Sequence, residues 1–252
     1  MFDPRNAIQL IAKRIASGNS EDAIEIAEQA LAQYRDDGRL YEMAGLAYFA
    51  AGRHSHAIER MEKARRKMGL SINAQLCLAS CYWKTGVRHA ALAIADRIKA
   101  RFMHASLHRR HVAALVHWYA GNQMFESAAD ICLRVFQENS CDSEACLGIA
   151  WYRSLTDIAE STTTNWLEAA VRLRPDNAAF RIALGKAYAE QNEKDSAIRI
   201  FLGLSAPMIE QIECASCLAS VTRYLKKYHH GDSPVVSLIS QRLTSLNSRI
   251  RN

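Results

Sequence analysis

Aromatic residues return along this chain at nearly constant intervals: Tyr48, Tyr82, Tyr119, Trp151 and Tyr188 are separated by 34, 37, 32 and 37 residues. Three positions before each stands a small or β-branched residue, in order Gly45, Ala79, Val116, Gly148 and Gly185. Nine residues after the aromatic come Ala57, Ala91, Ala128 and Ala197; thirteen after, Met61, Ala95, Cys132 and Phe201; sixteen after, Ala64, Ile98, Val135 and Leu204. Shifted 34 residues toward the N-terminus from Tyr48, the pattern meets Ala23, Ala27 and Ala30, with Arg14 in the aromatic's place, which makes six copies. A period of this length means that one small unit, unable to bury its apolar face alone, is stacked on copies of itself.

The apolar spacings inside each copy are three and four, the spacing of one helix face, while Gly18-Asn19, Gly52, Gly86 and Gln191-Asn192 fall between the halves. Each copy is therefore expected to be two helices joined by a short turn. Only 11 Gly and 4 Pro occur in 252 residues, too few for the turns of a sandwich or barrel. Hydrophobic residues at 49% and charged residues at 23% exclude a disordered or collagen-like chain. Where two helices cross, a Gly or Ala lets the backbones approach, and the aromatic one turn later fills the space beside the crossing.

On these residues the chain resembles the tetratricopeptide repeat superfamily, whose 34-residue unit carries small residues at its eighth and twentieth places and an aromatic at its eleventh. The match is most specific around Tyr48, Tyr82 and Tyr188, and LRPDNAAFRIALGKAYAEQNEKDSAIRIF, residues 173–201, is nearly a consensus stretch. The resemblance implies an all-α fold, a right-handed α-solenoid of about six helix-turn-helix repeats. They are expected at about 4–35, 38–69, 72–103, 107–139, 141–175 and 178–205, an array over 4–204. The fifth copy fits only with three residues inserted around Ser161 to Thr164, which restores Thr163, Leu167, Ala170 and Pro175; an irregular turn or shortened helix is expected near 156–163. After residue 205 the repeat fades, and 206–252 is expected to form C-terminal helices that cap the array. The last of these carries the stripe Val235, Ile239, Leu243, Leu246 and Ile250.

Stacked hairpins leave a concave wall lined by the first helix of each pair. The positions one after, two before, six before and nine before the aromatic point to that groove. Among them are Arg39, Glu42, Leu46 and Phe49; Asn73, Leu76, Ser80 and Trp83; Arg110 and His117; Ile149 and Tyr152; and Ile182 and Lys186. Aromatics on a face that water reaches suit the apolar side of an extended or helical peptide, with Phe49 and Trp83 as anchors and Arg39, Arg110 and Lys186 fixing orientation. The competing reading is that tight curvature or the C-terminal helices bury these side chains as ordinary core. Some tetratricopeptide domains hold a C-terminal carboxylate with two Lys, two Asn and one Arg. Here Glu42, Leu46, Asn73, Leu76 and Cys77 stand at the matching places, which disfavours capture of a chaperone tail.

Charge offers a second clue. Residues 1–126 hold 18 Lys and Arg against 12 Asp and Glu, residues 127–252 hold 14 of each, and within 53–110 the count is 13 against 3. The excess concentrates at Arg60, Lys63, Arg65, Arg66 and Lys67, then Arg97, Lys99 and Arg101, with Arg109 following. Such a face attracts an acidic protein, a nucleic acid or an anionic surface, or is simply solvated.

Catalytic patterns are absent: no GxGxxG, phosphate loop, GxSxG or HExxH occurs, so neither an enzyme nor a cofactor is expected. Cys214-Ala-Ser-Cys217 is a CxxC, but a thioredoxin-like reading needs a βαβ setting and a zinc site needs a second ligand pair; no metal is expected. Seven cysteines, an odd number, read as reduced and buried small hydrophobes. No run reaches the length of a membrane span, and Arg5, Lys13 and Arg14 interrupt the start where a signal peptide needs an apolar core, so a cytoplasmic location is expected. The sequence thus points to a scaffold or adaptor that binds a peptide or helix of another protein. Its alternatives are a binder of nucleic acid or an anionic surface through 53–110, and a self-associating structural component.

Overall fold

The computed structural model describes residues 3–105, 108–156 and 160–250. It is all-α, of the tetratricopeptide-like right-handed solenoid class with C-terminal capping helices, and divides into two compact units, residues 1–122 and 123–252. The first unit holds α1 (Pro4–Ala16), α2 (Ser20–Gln33), α3 (Gly38–Ala50), α4 (His54–Met68), α5 (Ile72–Lys84), α6 (Arg88–His104) and α7 (Arg109–Gly121). The second holds α8 (Phe125–Glu138), α9 (Ser143–Ser154), α10 (Glu160–Leu173), α11 (Ala178–Glu190), α12 (Lys194–Leu202), α13 (Ala206–Glu210), α14 (Ala215–Lys227) and α15 (Pro234–Ile250).

Two local devices repeat with the sequence period. The first is the N-cap of each odd-numbered helix up to α11. Asp3, Asp37, Ser71, His108, Asp142 and Asn177 each turn a side-chain acceptor onto a backbone N–H of the first turn of α1, α3, α5, α7, α9 and α11. The intervening α2, α4, α6, α8 and α12 have no such side-chain bond. The second is a left-handed residue in the turn between paired helices: Gly18, Gly52 and Gly86 with φ of 78°, 73° and 85°, then Gln123 and Asn192, each at 62°.

Both devices continue past residue 205. Cys214 caps α14 with its sulfur, and His229 at φ 64° makes the turn toward α15. The helices after the fading repeat therefore form a seventh hairpin in step with the others. The apolar stripe of α15 faces inward as expected, with Val235, Ile239 and Leu246 buried and Leu243 packed against them, while the side chain of Ile250 lies outside the described residues.

The crossings are as close as the small residues require. A Cβ on Gly45 would lie 2.4 Å from Met61 Cγ, and one on Gly185 would lie 2.4 Å from the Phe201 ring, each sixteen residues on in the paired helix. Gly148 departs from this rule. The atom it meets is Cys132 Sγ at 2.7 Å, sixteen residues earlier, so α9 is packed closely by α8 as well as by α10. The boundary between units at residues 122 and 123 correspondingly falls inside the span expected as the fourth repeat. Trp151, expected as the aromatic anchor of the fifth copy, is 60% exposed, and Tyr152 beside it is the half-buried ring near Gly148 and Cys132.

Of the two alternatives expected near 156–163, the irregular turn falls on residues 157–159, which lie outside the described residues; α10 runs from Glu160 through the threonines, with Thr163 and Thr164 buried beside Leu167 and Ala170. One further expectation needs correction: the cysteines are not uniformly buried. Cys81, Cys132 and Cys146 are, Cys77 and Cys217 are intermediate, and Cys141 and Cys214 are exposed. None of the described helices is long and apolar enough to cross a membrane.

Candidate functional site

In the first unit the odd-numbered helices lie side by side, α1 on α3, α3 on α5 and α5 on α7, with α2, α4 and α6 packed behind them. This builds a row of first helices of the kind expected to present a ligand-binding wall. Arg39, Asn73, Arg110 and His117 are exposed on it, and Glu42, Leu46, Phe49, Ser80 and Trp83 are partly exposed. Leu76 is the exception, at 6% exposure a core residue rather than part of the wall.

Neighbouring groups hold these side chains. The Trp83 ring meets the edge of Trp118 from α7, with centroids 5.9 Å apart, and carries the Arg88 guanidinium over its face at 5.2 Å. Phe49 leans on His54 at 6.3 Å. Both rings are therefore held in place by side chains of the scaffold itself. Glu42 accepts hydrogen bonds from Ser71 Oγ at 2.6 Å and Ser71 N at 3.2 Å, tying α3 to the start of α5. Its carboxylate is thereby committed to the scaffold. Ser80 is turned inward, donating to the Leu76 carbonyl at 2.9 Å, and Arg110 Nε donates to His111 Nε2 at 3.2 Å.

The corresponding positions of the second unit behave differently. Ile149 is fully buried and Ile182 is 4% exposed, the latter in one cluster with Leu218 and Val221 of α14. Tyr152 and Lys186 remain partly exposed, and Lys186 Nζ lies 3.7 Å from Cys217 Sγ of α14. Both isoleucines expected on the groove are core here: α14 supplies apolar surface that covers Ile182 on α11, and Ile149 lies on α9, which packs against α8 and α10.

The basic stretch is largely answered by acids outside it. Arg53 pairs with Glu21 at 2.8 Å, Arg60 with Glu28 at 2.9 Å and Lys67 with Asp36 at 2.8 Å, each across 31 or 32 residues and so between α4 or its N-cap and α2 or the turn that follows it. Within α4, Lys63 reaches Glu59 and Arg65 reaches Glu62. Lys99 sits over the Tyr119 ring at 5.7 Å, and Arg109 is also engaged. Arg66, Arg97 and Arg101 carry no ion pair among the described residues. Together with Arg65 they rim a concavity of about 550 Å³ between α4 and α6 whose lining includes Leu70 and Ile98. Counting charge over a window of sequence overstated the field, since the compensating carboxylates lie one repeat away.

One set of residues was not singled out in the sequence. Three anchor tyrosines donate a hydroxyl to a carboxylate on the second helix of the preceding pair, Tyr82 to Glu62 at 3.0 Å, Tyr119 to Asp96 at 2.6 Å and Tyr188 to Glu168, and the Glu28 carboxylate acts on the Tyr48 phenol from the corresponding place. Burial, and then the carboxylate, push these phenols upward, Tyr188 to about 12. The signal was available as an acid 20 residues before Tyr48, Tyr82 and Tyr188 and 23 before Tyr119. Trp151 has no hydroxyl to offer such a partner, and it is the exposed member of the series. Among the described residues no group of three or more His, Cys, Asp or Glu is arranged to hold a metal ion.

A family model described as tetratricopeptide repeat matches residues 14–71 and 166–205. No curated protein matches the chain by sequence. Among solved structures, the C-terminal part of a repeat-containing protein from Cytophaga hutchinsonii superposes with a TM-score of 0.67 at 12% identity, over 96% of this chain and 95% of that one. A tetratricopeptide repeat protein from Parabacteroides merdae gives 0.56 at 14% identity over 95% and 98% of the two chains. Yeast Tom70 gives 0.54 at 17% identity, over 87% of this chain and 46% of that one. At these identities the likeness is one of fold.

Proposed function

We propose that this chain, whose fold is tetratricopeptide-like and whose residues 14–71 and 166–205 match the tetratricopeptide repeat model, works as a scaffold or adaptor, holding an extended or helical peptide of a partner protein against the first helices of residues 4–122. The observation that carries this reading is the pair of partly exposed aromatics held by neighbouring rings, Phe49 on α3 and Trp83 on α5, with Leu46 partly exposed one turn before Phe49 and Arg39 and Arg110 exposed on α3 and α7. Large rings fixed in place and reachable by solvent are what interface hot spots are made of. In this reading 4–204 is the working array and 206–252 caps its end. Seven unpaired cysteines fit a reducing, cytoplasmic setting.

The rim of Arg66, Arg97 and Arg101 favours a second reading, an acidic segment of a partner seated between α4 and α6. No aromatic lines that concavity, so it lacks the stacking surface that a single-stranded nucleic acid uses. One experiment separates the readings. Partners retained on wild-type protein are compared with those retained on Phe49→Ala/Trp83→Ala and on Arg66→Glu/Arg97→Glu, at low and high salt. Loss in the first variant alone, insensitive to salt, is expected for the peptide groove. Loss in the second alone, together with a steep salt dependence, replaces it with the arginine site, and unchanged partners in both overturn the assignment. Self-association would register as a mass that rises with concentration.

A further inference from the structure

Thiol chemistry divides the cysteines sharply. Burial pushes the thiols of Cys77, Cys81 and Cys132 up to about 11, 12 and 12, which leaves them protonated and unreactive. Cys214 stands in the opposite environment. It is exposed, and it occupies the N-cap of the 13-residue α14, the place that Asp3, Asp37, Ser71, His108, Asp142 and Asn177 occupy in earlier hairpins. Its sulfur accepts the Cys217 backbone N–H at 3.4 Å and lies 3.2 Å from Ser216 Oγ. A thiol accepts weakly and a thiolate strongly, so an N-cap role, together with the positive end of the helix dipole, favours the anion. Three residues on, Cys217 is half-buried, with the Lys186 ammonium 3.7 Å from its sulfur. The hydrogen bond from the Cys217 thiol, then those from Ser216 and the backbone, bring Cys214 down to about 7, while Cys217 is held up.

We propose that Cys214 and Cys217 form a redox-active dithiol that takes a hydroperoxide as its oxidant, with Cys214 as the attacking thiol and Cys217 as the resolving one. The Cys214 thiolate attacks one peroxide oxygen. The O–O bond breaks, hydroxide or alkoxide leaves with the bonding pair, and a sulfenic acid remains on Cys214. Cys217 gives up its proton and attacks the Cys214 sulfur. The S–O bond breaks, the departing hydroxide takes up a proton and leaves as water, and an intramolecular disulfide closes. Two electrons pass from the two thiols to the peroxide. The lowered thiol is favoured as attacker because it is ionised near neutral pH; the raised one stays protonated until the sulfenic acid forms, and the Lys186 ammonium 3.7 Å from its sulfur then favours the thiolate that attacks. Since Cys217 packs against the cluster that joins α11 to α14, closing the disulfide places a covalent event at the root of the C-terminal hairpin.

The test uses the reduced full-length chain. At pH 7, limiting iodoacetamide followed by peptide mass spectrometry is expected to alkylate Cys214 about threefold faster than Cys141, the other exposed thiol. The factor combines a larger thiolate fraction with the lower nucleophilicity of a more acidic thiol. Equimolar hydrogen peroxide is expected to leave the peptide spanning 214–217 about 2 Da lighter and closed to alkylation, with Cys141 still open. In Cys217→Ser the reaction is expected to stop at a sulfenic acid that dimedone traps on Cys214. Equal alkylation of Cys214 and Cys141, or disulfides that join other cysteines in place of 214–217, overturns the proposal.

Discussion

The two units use the same hairpin to opposite ends. In residues 4–122 the first helices lie against one another, and the aromatic and polar positions on them stay within reach of water, Phe49 and Trp83 among them. In residues 123–252 the equivalent isoleucines, Ile149 and Ile182, are sealed, and the seventh hairpin supplies the side chains that cover Ile182. The lesson is that a position in the repeat does not determine a role; what packs on the first helix does. The same repeat position stays within reach of water at Phe49 and Trp83 and is core at Ile182, where α14 covers it.

This contrast is open to breakage. The largest effect is expected in the second unit: Ile149→Ala and Ile182→Ala should each cost about 2–5 kcal/mol in guanidinium unfolding, as buried aliphatic truncations do. The matched Leu46→Ala should cost about 1 kcal/mol and should act mainly on partner affinity. A Leu46→Ala protein as unstable as Ile182→Ala would end the distinction. Next in size are the hydroxyl clamps. Tyr82→Phe in the first unit and Tyr188→Phe in the second should each lose about 1–3 kcal/mol, since each removes a bond to a carboxylate.

The clamps also carry a pH signature. Burial raises the folded-state phenols above the ordinary 10.0, so their contribution is complete below pH 10 and is lost as pH rises through the folded value, about 12 for Tyr188. Alkaline unfolding between those limits should be shallower in Tyr188→Phe than in wild type. Trp151→Ala, at the exposed member of the series, should shift stability by no more than about 0.5 kcal/mol, and a larger loss would mean that the ring is packed after all. The smallest effect belongs to the charges. Glu21→Gln, which releases Arg53, should change stability by less than about 1 kcal/mol by thermal melting and should steepen the salt dependence of any anionic partner.

Much of the architecture was legible because it is written in spacing. The glycines of the crossings, the left-handed turn residues and the stripe on α15 are local patterns, and each lies where the period puts it. Three things were hidden. The pairing of Arg60 with Glu28 and of Lys67 with Asp36 joins residues a full repeat apart, which no window of local charge reveals. The exposure of Trp151 follows from Cys132 of α8 packing on Gly148, a packing choice that the aromatic period does not encode. The seventh hairpin was masked because Cys214 and His229 take the places usually held by an Asp or Asn cap and by a Gly turn, so the geometry persists where the letters change. The candidate groove was legible as a set of positions, but the burial of Leu76, Ile149 and Ile182 depended on neighbours that the repeat pattern does not specify.

The tyrosine clamps bear on how such an array lengthens. Each tyrosine reaches back to an acid supplied by the hairpin before it, and most of these partners stand 20 residues upstream. A tandem copy of the module with Tyr48 and Glu62, or of that with Tyr82 and Asp96, therefore arrives with a donor for the seam behind it and an acceptor for the seam ahead, and the joints heal without a new substitution. A copy out of phase by even one residue strands a phenol on one side and a carboxylate on the other. Growth by duplication is thus quantised by the joint, and the chain's own history of insertion is expected to be confined to turns, where no such handshake is interrupted.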